Sequence, residues 1–143
     1  MNELDFIAYG RLPYYPHMSV ADTLIWERYL QWHPTAFDAV AYDVAIGQGA
    51  EFDATAGGLM GDGIKRLYQR RIDVLAKKGN TLFIIELKPR ASTAAIGQVQ
   101  GYGTIFKRDY PQFKDVQLLI ITDSLMPEMQ FLAEGAGVGI QTV

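Results

Sequence analysis

The sequence predicts an α/β protein, one mixed β-sheet flanked by helices. Three observations carry that expectation. Residues 38–46 and 70–76 alternate as half-buried strands do, with Val40, Tyr42, Val44 and Ile46 on one face of the first and Ile72, Val74 and Ala76 on one face of the second. Residues 81–88 and 116–122 are near-continuous apolar runs, the pattern of strands covered on both faces. Between and around these runs stand segments that open on capping residues and close on helix breakers.

The elements follow in order. Residues 9–17 contain Pro13, Tyr14, Tyr15 and Pro16, and because each proline fixes its own φ and biases its predecessor away from helix, they read as part of an extended arm over residues 1–18. That arm either docks on a neighbouring subunit, which would make the chain part of a homo-oligomer or larger assembly, or adheres to its own domain. Ser19 is placed as an N-cap with Asp22 at the third helical position, so a helix runs from Val20 to Trp32 and stops before Pro34. After the first strand, Gly47 to Gly63 holds six glycines without a period and reads as a long loop, either a substrate-ordered flap or a hairpin tip. Gly79-Asn80 makes the turn between the strands at 70–76 and 81–88. Ser92 or Thr93 then caps a helix reaching Arg108, in which Gly97 and Gly101 share a face and would allow close approach to the sheet. The strand at 116–122, a short helix after Pro127 and a strand from Val138 to Val143 complete the chain. The order is helix, three-stranded meander, helix, strand, helix, strand, in a single domain spanning residues 1–143.

Composition removes many chemistries. With no cysteine among 143 residues, disulfides, zinc knuckles, thiolate nucleophiles and iron–sulfur ligation are excluded. His17 and His33 are the only imidazoles, and neither stands in a recognisable catalytic or metal motif, so both read as surface or helix-end residues. The N-terminus is acidic where a secretory signal is basic, and the strongly apolar runs Leu82–Ile85 and Leu118–Ile121 fall far short of the roughly 20 residues that span a bilayer. The expectation is a soluble chain with no membrane partner, cytoplasmic or, in a phage, virion-associated.

Two charges interrupt the apolar strand at 81–88. Glu86 and Lys88 lie two apart and project from one face, where a charge is costly unless paired or bound to metal. Asp73 breaks the preceding strand in the same way, and strands joined by a tight turn lie about 4.8 Å apart, so Asp73 can converge with Glu86 and Lys88. Two carboxylates supply hard oxygen ligands for Mg²⁺ or Mn²⁺, and a lysine beside them can orient or help deprotonate a bound water and stabilise charge on a five-coordinate phosphorus. Such a site hydrolyses phosphodiesters without cysteine or histidine. Glu-x-Lys alone carries little, being expected by chance about a quarter of a time in this composition; the preceding acid, the apolar run entering it and the capped helix leaving it add the weight.

Asp73 followed by Glu86-Leu87-Lys88 on the next strand resembles the PD-(D/E)XK nuclease superfamily, over roughly residues 19–122. Gln98 and Tyr102, spaced by four on one helical face, resemble the Gln-x-x-x-Tyr helix of its RecB-like and Holliday-junction-resolvase-like branches. The resemblance implies a restriction-endonuclease-like core (α-β-β-β-α-β). It implies Asp73, Glu86 and the Leu87 carbonyl as Mg²⁺ or Mn²⁺ ligands, Glu27 as a further metal-site acid from the first helix, Lys88 as the catalytic lysine, and Gln98 and Tyr102 as supports for metal, water or DNA. Ile72 stands where the name-giving proline would be, and Pro89 directly follows Lys88; neither change removes a ligand. With no second domain to read sequence, the expected activity is a DNase directed by ends or DNA structure.

The formal net charge of −3 is a sum of unlike parts. Residues 1–64 carry −7, residues 65–114 carry +8 and residues 115–143 carry −4. The basic segment is centred on the motif, and Lys65, Arg66, Arg70, Arg71, Arg90, Lys107 and Arg108 are its candidate DNA contacts. Two competing readings come from other classes. In one, the fold serves as an assembly subunit of a phage particle or DNA-processing complex with a silent site, a reading suggested by the small size, the Tyr-Pro arm and the apolar segment from Gly135 to Val143. In the other, the chain binds DNA without cutting it.

Overall fold

The computed structural model describes residues 4–47 and 70–143. Their elements are β1 (Ile7–Ala8), α1 (Val20–Trp32), β2 (Ala39–Ile46), β3 (Arg70–Lys78), β4 (Thr81–Leu87), α2 (Thr93–Asp109), β5 (Asp115–Thr122), α3 (Met129–Gly135) and β6 (Val138–Thr142). The glycine-rich segment beyond Gly47, together with Lys65 and Arg66, lies outside the described residues.

All six strands form one sheet in chain order, β1-β2-β3-β4-β5-β6. The first four pair antiparallel; β4, β5 and β6 pair parallel. Gly79, at φ +58, makes the tight return from β3 to β4, and its N–H donates to Asp38 Oδ2 at 2.8 Å. The two parallel crossovers step the same way across the sheet, so their right-handedness puts α2 and α3 on one face. There Ala95, Val99, Phe106 and Met129 pack on Leu75, Ile84 and Ile120. The other face is covered by α1, whose Ile25, Trp26 and Tyr29 share a core with Val40, Val74, Ile85 and Ile121. This double cover explains why β4 and the end of β5 are apolar on both sides.

The helix at Val20–Trp32 has the expected bounds, and Ser19 Oγ accepts the Asp22 N–H at 3.1 Å. Ser92 occupies the N-cap of α2, but its side chain makes no capping hydrogen bond. The arm is not simply extended: Ile7 and Ala8 add an edge strand to β2, and Tyr15 is buried in the α1-side core, its hydroxyl accepting the Leu12 N–H at 3.0 Å. Much of the arm therefore adheres to its own chain, although Tyr14 stays 72% exposed. Among the described residues, no helix is long and apolar enough to cross a membrane.

The glycines of α2 divide differently from the expectation. A Cβ added at Gly97 or Gly101 would meet nothing within 4 Å, whereas one at Gly103 would lie 2.8 Å from Leu118 Cδ2. Close approach to β5 is made at Gly103. Gly97→Ala and Gly101→Ala are each expected to stabilise the fold by about 0.5–1 kcal/mol through helix propensity, and Gly103→Ala to lose that gain by displacing Leu118. Urea midpoints check this, and a lowered midpoint for Gly97→Ala would refute it.

Candidate active site

Asp73 and Glu86 meet where β3 begins and β4 ends. The strands are in register at Val74 and Ile85, so the next pair outward is Asp73 opposite Glu86. There the backbone ladder gives way to a side chain: Asp73 Oδ2 accepts the Leu87 N–H at 3.0 Å. Glu86 continues the row of Ile84 toward the α2 side, is 5% exposed, and its Oε2 has no hydrogen-bond partner among the described residues. Burial pushes the Asp73 carboxyl up to about 6, against the pull of the Leu87 N–H. Burial, then the facing Asp73, pushes Glu86 up to about 8, with Lys88 opposing. The Lys88 N–H closes the end of the β4–β5 ladder on Ile121 O at 3.0 Å, and its side chain is exposed at the rim.

Residues of two helices complete the site. Gln98 Nε2 donates to Tyr102 OH at 2.7 Å, and Tyr102 is 6% exposed. Burial raises the Tyr102 phenol, and the charges of Glu86 and Asp73 raise it further, so this pair stands in the field of both carboxylates. The acid that α1 presents is Asp22, not Glu27. Asp22 acts electrostatically on Asp73 and Glu86 and feels Lys88. Glu27 instead pairs with Arg11 at 3.4 Å and lines a surface groove with Tyr9, Leu24 and Arg28. The physical reason is helical phase: five residues carry Glu27 well around the axis and more than a turn away from the helix start, which is the part of α1 that faces the strand ends. The signal for Asp22 was present in its place behind the Ser19 cap. Among the described residues, no group of three or more His, Cys, Asp or Glu is close enough to form a ready-made metal cage.

The basic residues do not all gather here. Arg70 and Arg71 stand at the start of β3, within three residues of Asp73. Arg90 follows Lys88 at φ +47, with its N–H held by Asp123 Oδ1 at 2.8 Å. Lys107 and Arg108 are exposed at the end of α2; Asp109 Oδ2 accepts the Gly47 N–H there at 2.8 Å, which brings them round to the β2 edge. Lys77 lies 4.0 Å over the Phe6 ring and Lys78 lies 3.7 Å from Asp38, at the hairpin end of β3, roughly 15 Å from Asp73 by strand rise.

No protein-family model matches the chain, and no curated protein does. Its fold is similar to that of several solved structures. A protein of unknown function, AF1548, superposes with a TM-score of 0.56 at 13% identity, over 84% of this chain and 56% of that one. A repair endonuclease from Pyrococcus abyssi gives 0.51 at 16%, over 85% and 46%. EndoMS in complex with double-stranded DNA gives 0.50 at 16%, over 93% and 49%. The chain thus spans about half the length of these proteins. The described residues form an α/β fold similar to that of these endonucleases, a mixed six-stranded sheet flanked by three helices.

The raised carboxyls set a pH dependence. Asp73 and Glu86 hold protons more tightly folded than unfolded, so folding binds protons between about pH 4 and 8, and stability falls as pH rises through that window. Asp22 and Asp43 add repulsion to the pair, and Lys88 relieves part of it. Asp115 and Asp123 are held low by hydrogen bonds, so what they contribute is present throughout this window and is lost only as pH falls below it. In EDTA, the melting temperature is expected to be on the order of 5 °C lower at pH 8 than at pH 5, with most of the difference lost in Glu86→Gln. A flat wild-type profile would contradict this.

Proposed function

We propose that the chain is a Mg²⁺- or Mn²⁺-dependent DNase of the PD-(D/E)XK type, directed by DNA structure or ends. The observation that carries this reading is the buried Asp73–Glu86 pair, with a Glu86 oxygen unbonded among the described residues and with Lys88 beside it. A buried carboxylate oxygen facing a second carboxylate is destabilised unless protonated or bound to a cation. The donor set suits a hard divalent ion, because Mg²⁺ is commonly held by one or two carboxylates and keeps several waters. Asp73, Glu86 and the Leu87 carbonyl would hold it, and when bound it would acidify a water and polarise the scissile phosphate.

The remaining roles belong to this chain's own groups. Asp73 Oδ2 is fixed by the Leu87 N–H, so one carboxylate is aimed before any ligand arrives. Lys88 is placed to orient the attacking water and offset charge growing on the phosphoryl oxygens. Asp22 feels the Lys88 charge and adds a negative charge beside the pair. The Gln98–Tyr102 pair offers amide and hydroxyl groups to water or substrate. Arg70, Arg71 and Arg90 flank the site and would meet a phosphate backbone. The likeness to a repair endonuclease and to EndoMS on double-stranded DNA supports DNA as substrate.

The test is incubation of purified protein with linear, nicked, branched and single-stranded DNA, with Mg²⁺, with Mn²⁺ and with EDTA. Metal-dependent cleavage is expected. Absence of cleavage on every substrate, or cleavage undiminished in EDTA, would overturn the reading, and the first result would favour the assembly role.

A further inference from the structure

Beside the site lies a second charged cluster with two left-handed residues. Asp43 lies within β2 between Tyr42, opposite Val74, and Val44, opposite Ile72, so it comes opposite Asp73. Its φ is +51, a conformation rarely adopted by a side-chain-bearing residue inside a strand. His17, on the arm, has φ +53, and its Nε2 lies 3.6 Å from Asp43 Oδ2. The same Oδ2 accepts from Arg71 Nη1 at 3.0 Å, and the Asp43 carbonyl accepts from that nitrogen at 3.2 Å. Strain of this kind persists only where surrounding structure enforces it, and it concentrates at working sites.

The Arg71 guanidinium is thereby anchored by one nitrogen. Its Nη2 and Nε carry three more N–H donors with no acceptor among the described residues, and its side chain is 44% exposed, two residues along β3 from Asp73. A guanidinium held at one corner, with its other donors uncommitted among the described residues, is preorganised for bidentate contact with a phosphate. We propose that Asp43 is a positioning residue that holds Arg71 as a clamp for a backbone phosphate of the nucleic-acid strand entering the site, with His17 bracing Asp43 from the arm. The proposal rests on the nuclease reading and extends it, because a clamp on the strand beside the cleaved bond makes the substrate a continuous polynucleotide.

The test is binding of a short fluorescein-labelled DNA duplex in EDTA, followed by anisotropy across a salt series. Arg71→Ala is expected to weaken binding roughly tenfold and to reduce the salt slope by about one. Asp43→Asn keeps a residue that tolerates left-handed φ, so the melting temperature should hold, yet binding should weaken roughly two- to tenfold as the guanidinium loses its anchor. Asp43→Gly, which relieves the strain outright, should do the same. That sign is diagnostic, since removing a negative charge beside a polyanion would by itself tighten binding. In the Arg71→Ala background Asp43→Asn should add nothing. Tighter binding by Asp43→Asn, or an equal loss in both backgrounds, overturns the positioning role. An unaffected Arg71→Ala protein, or a wild-type protein that binds no DNA in EDTA, overturns the clamp and leaves the nuclease reading standing, whereas a wild-type protein that cleaves no DNA with Mg²⁺ or Mn²⁺ overturns the reading on which the clamp rests.

Discussion

Asp73→Asn and Lys88→Ala are each expected to lower metal-dependent DNA cleavage by about 10²- to 10³-fold or more, the usual scale for losing one preorganised charged group at a phosphoryl centre. The same Asp73→Asn change should raise the melting temperature in EDTA, because it removes one of two carboxyls that burial and mutual repulsion make costly. Opposite signs in activity and stability separate a catalytic pair from a structural one. If the cluster were a stabilising ion-pair network, neutralising Asp73 would lower the melting temperature and leave turnover intact. Cleavage assays and thermal melts on the same preparations decide between the two, and a fully active Asp73→Asn or Lys88→Ala protein would sink the site assignment.

Trp26→Ala is expected to cost about 3–5 kcal/mol, a large share of the stability of a domain of this size. Trp26 is fully buried, stacks on Tyr29 with ring centroids 5.5 Å apart, meets Tyr9 and Tyr42 edge-on, and donates its Nε1–H to Tyr42 OH at 2.9 Å. It also lies one turn beyond Asp22 on α1, so this packing seats the helix start against the strand ends. Trp26→Phe keeps an aromatic ring and loses the hydrogen bond, so its cost should be smaller. Urea unfolding checks the pair of variants, and a loss below about 1 kcal/mol for Trp26→Ala would show that α1 is not anchored here.

The strand and helix pattern was legible because period and punctuation agreed: α1 has the bounds that Ser19 and Pro34 set, and β3 and β4 return at Gly79-Asn80. Asp73 opposite Glu86 was legible for the same reason, since a tight turn propagates register. The two-residue β1 has no periodicity to detect, and only its pairing with β2 makes it a strand. That Asp22 rather than Glu27 stands nearer the carboxylate pair was not legible, because an apolar stripe says which side faces the core but not which end reaches the sheet edge. Gly103 was overlooked in favour of Gly97 and Gly101 because spacing cannot tell which side of a glycine-bearing helix meets the sheet. Asp43 gave no sign in the sequence, where it is one more polar residue in an alternating strand.

The strand order has a consequence for local opening. β3 and β4 are the middle pair of the six, with two strands on either side. Fraying begins at edges, and β1, with two residues, offers little to resist it. Both carboxylates are therefore carried by the strands farthest from either edge, one step beyond the last paired register, Val74 with Ile85. An outer strand can detach and return without disturbing the spacing of Asp73 and Glu86. Their costly encounter is held between the two central strands of the sheet.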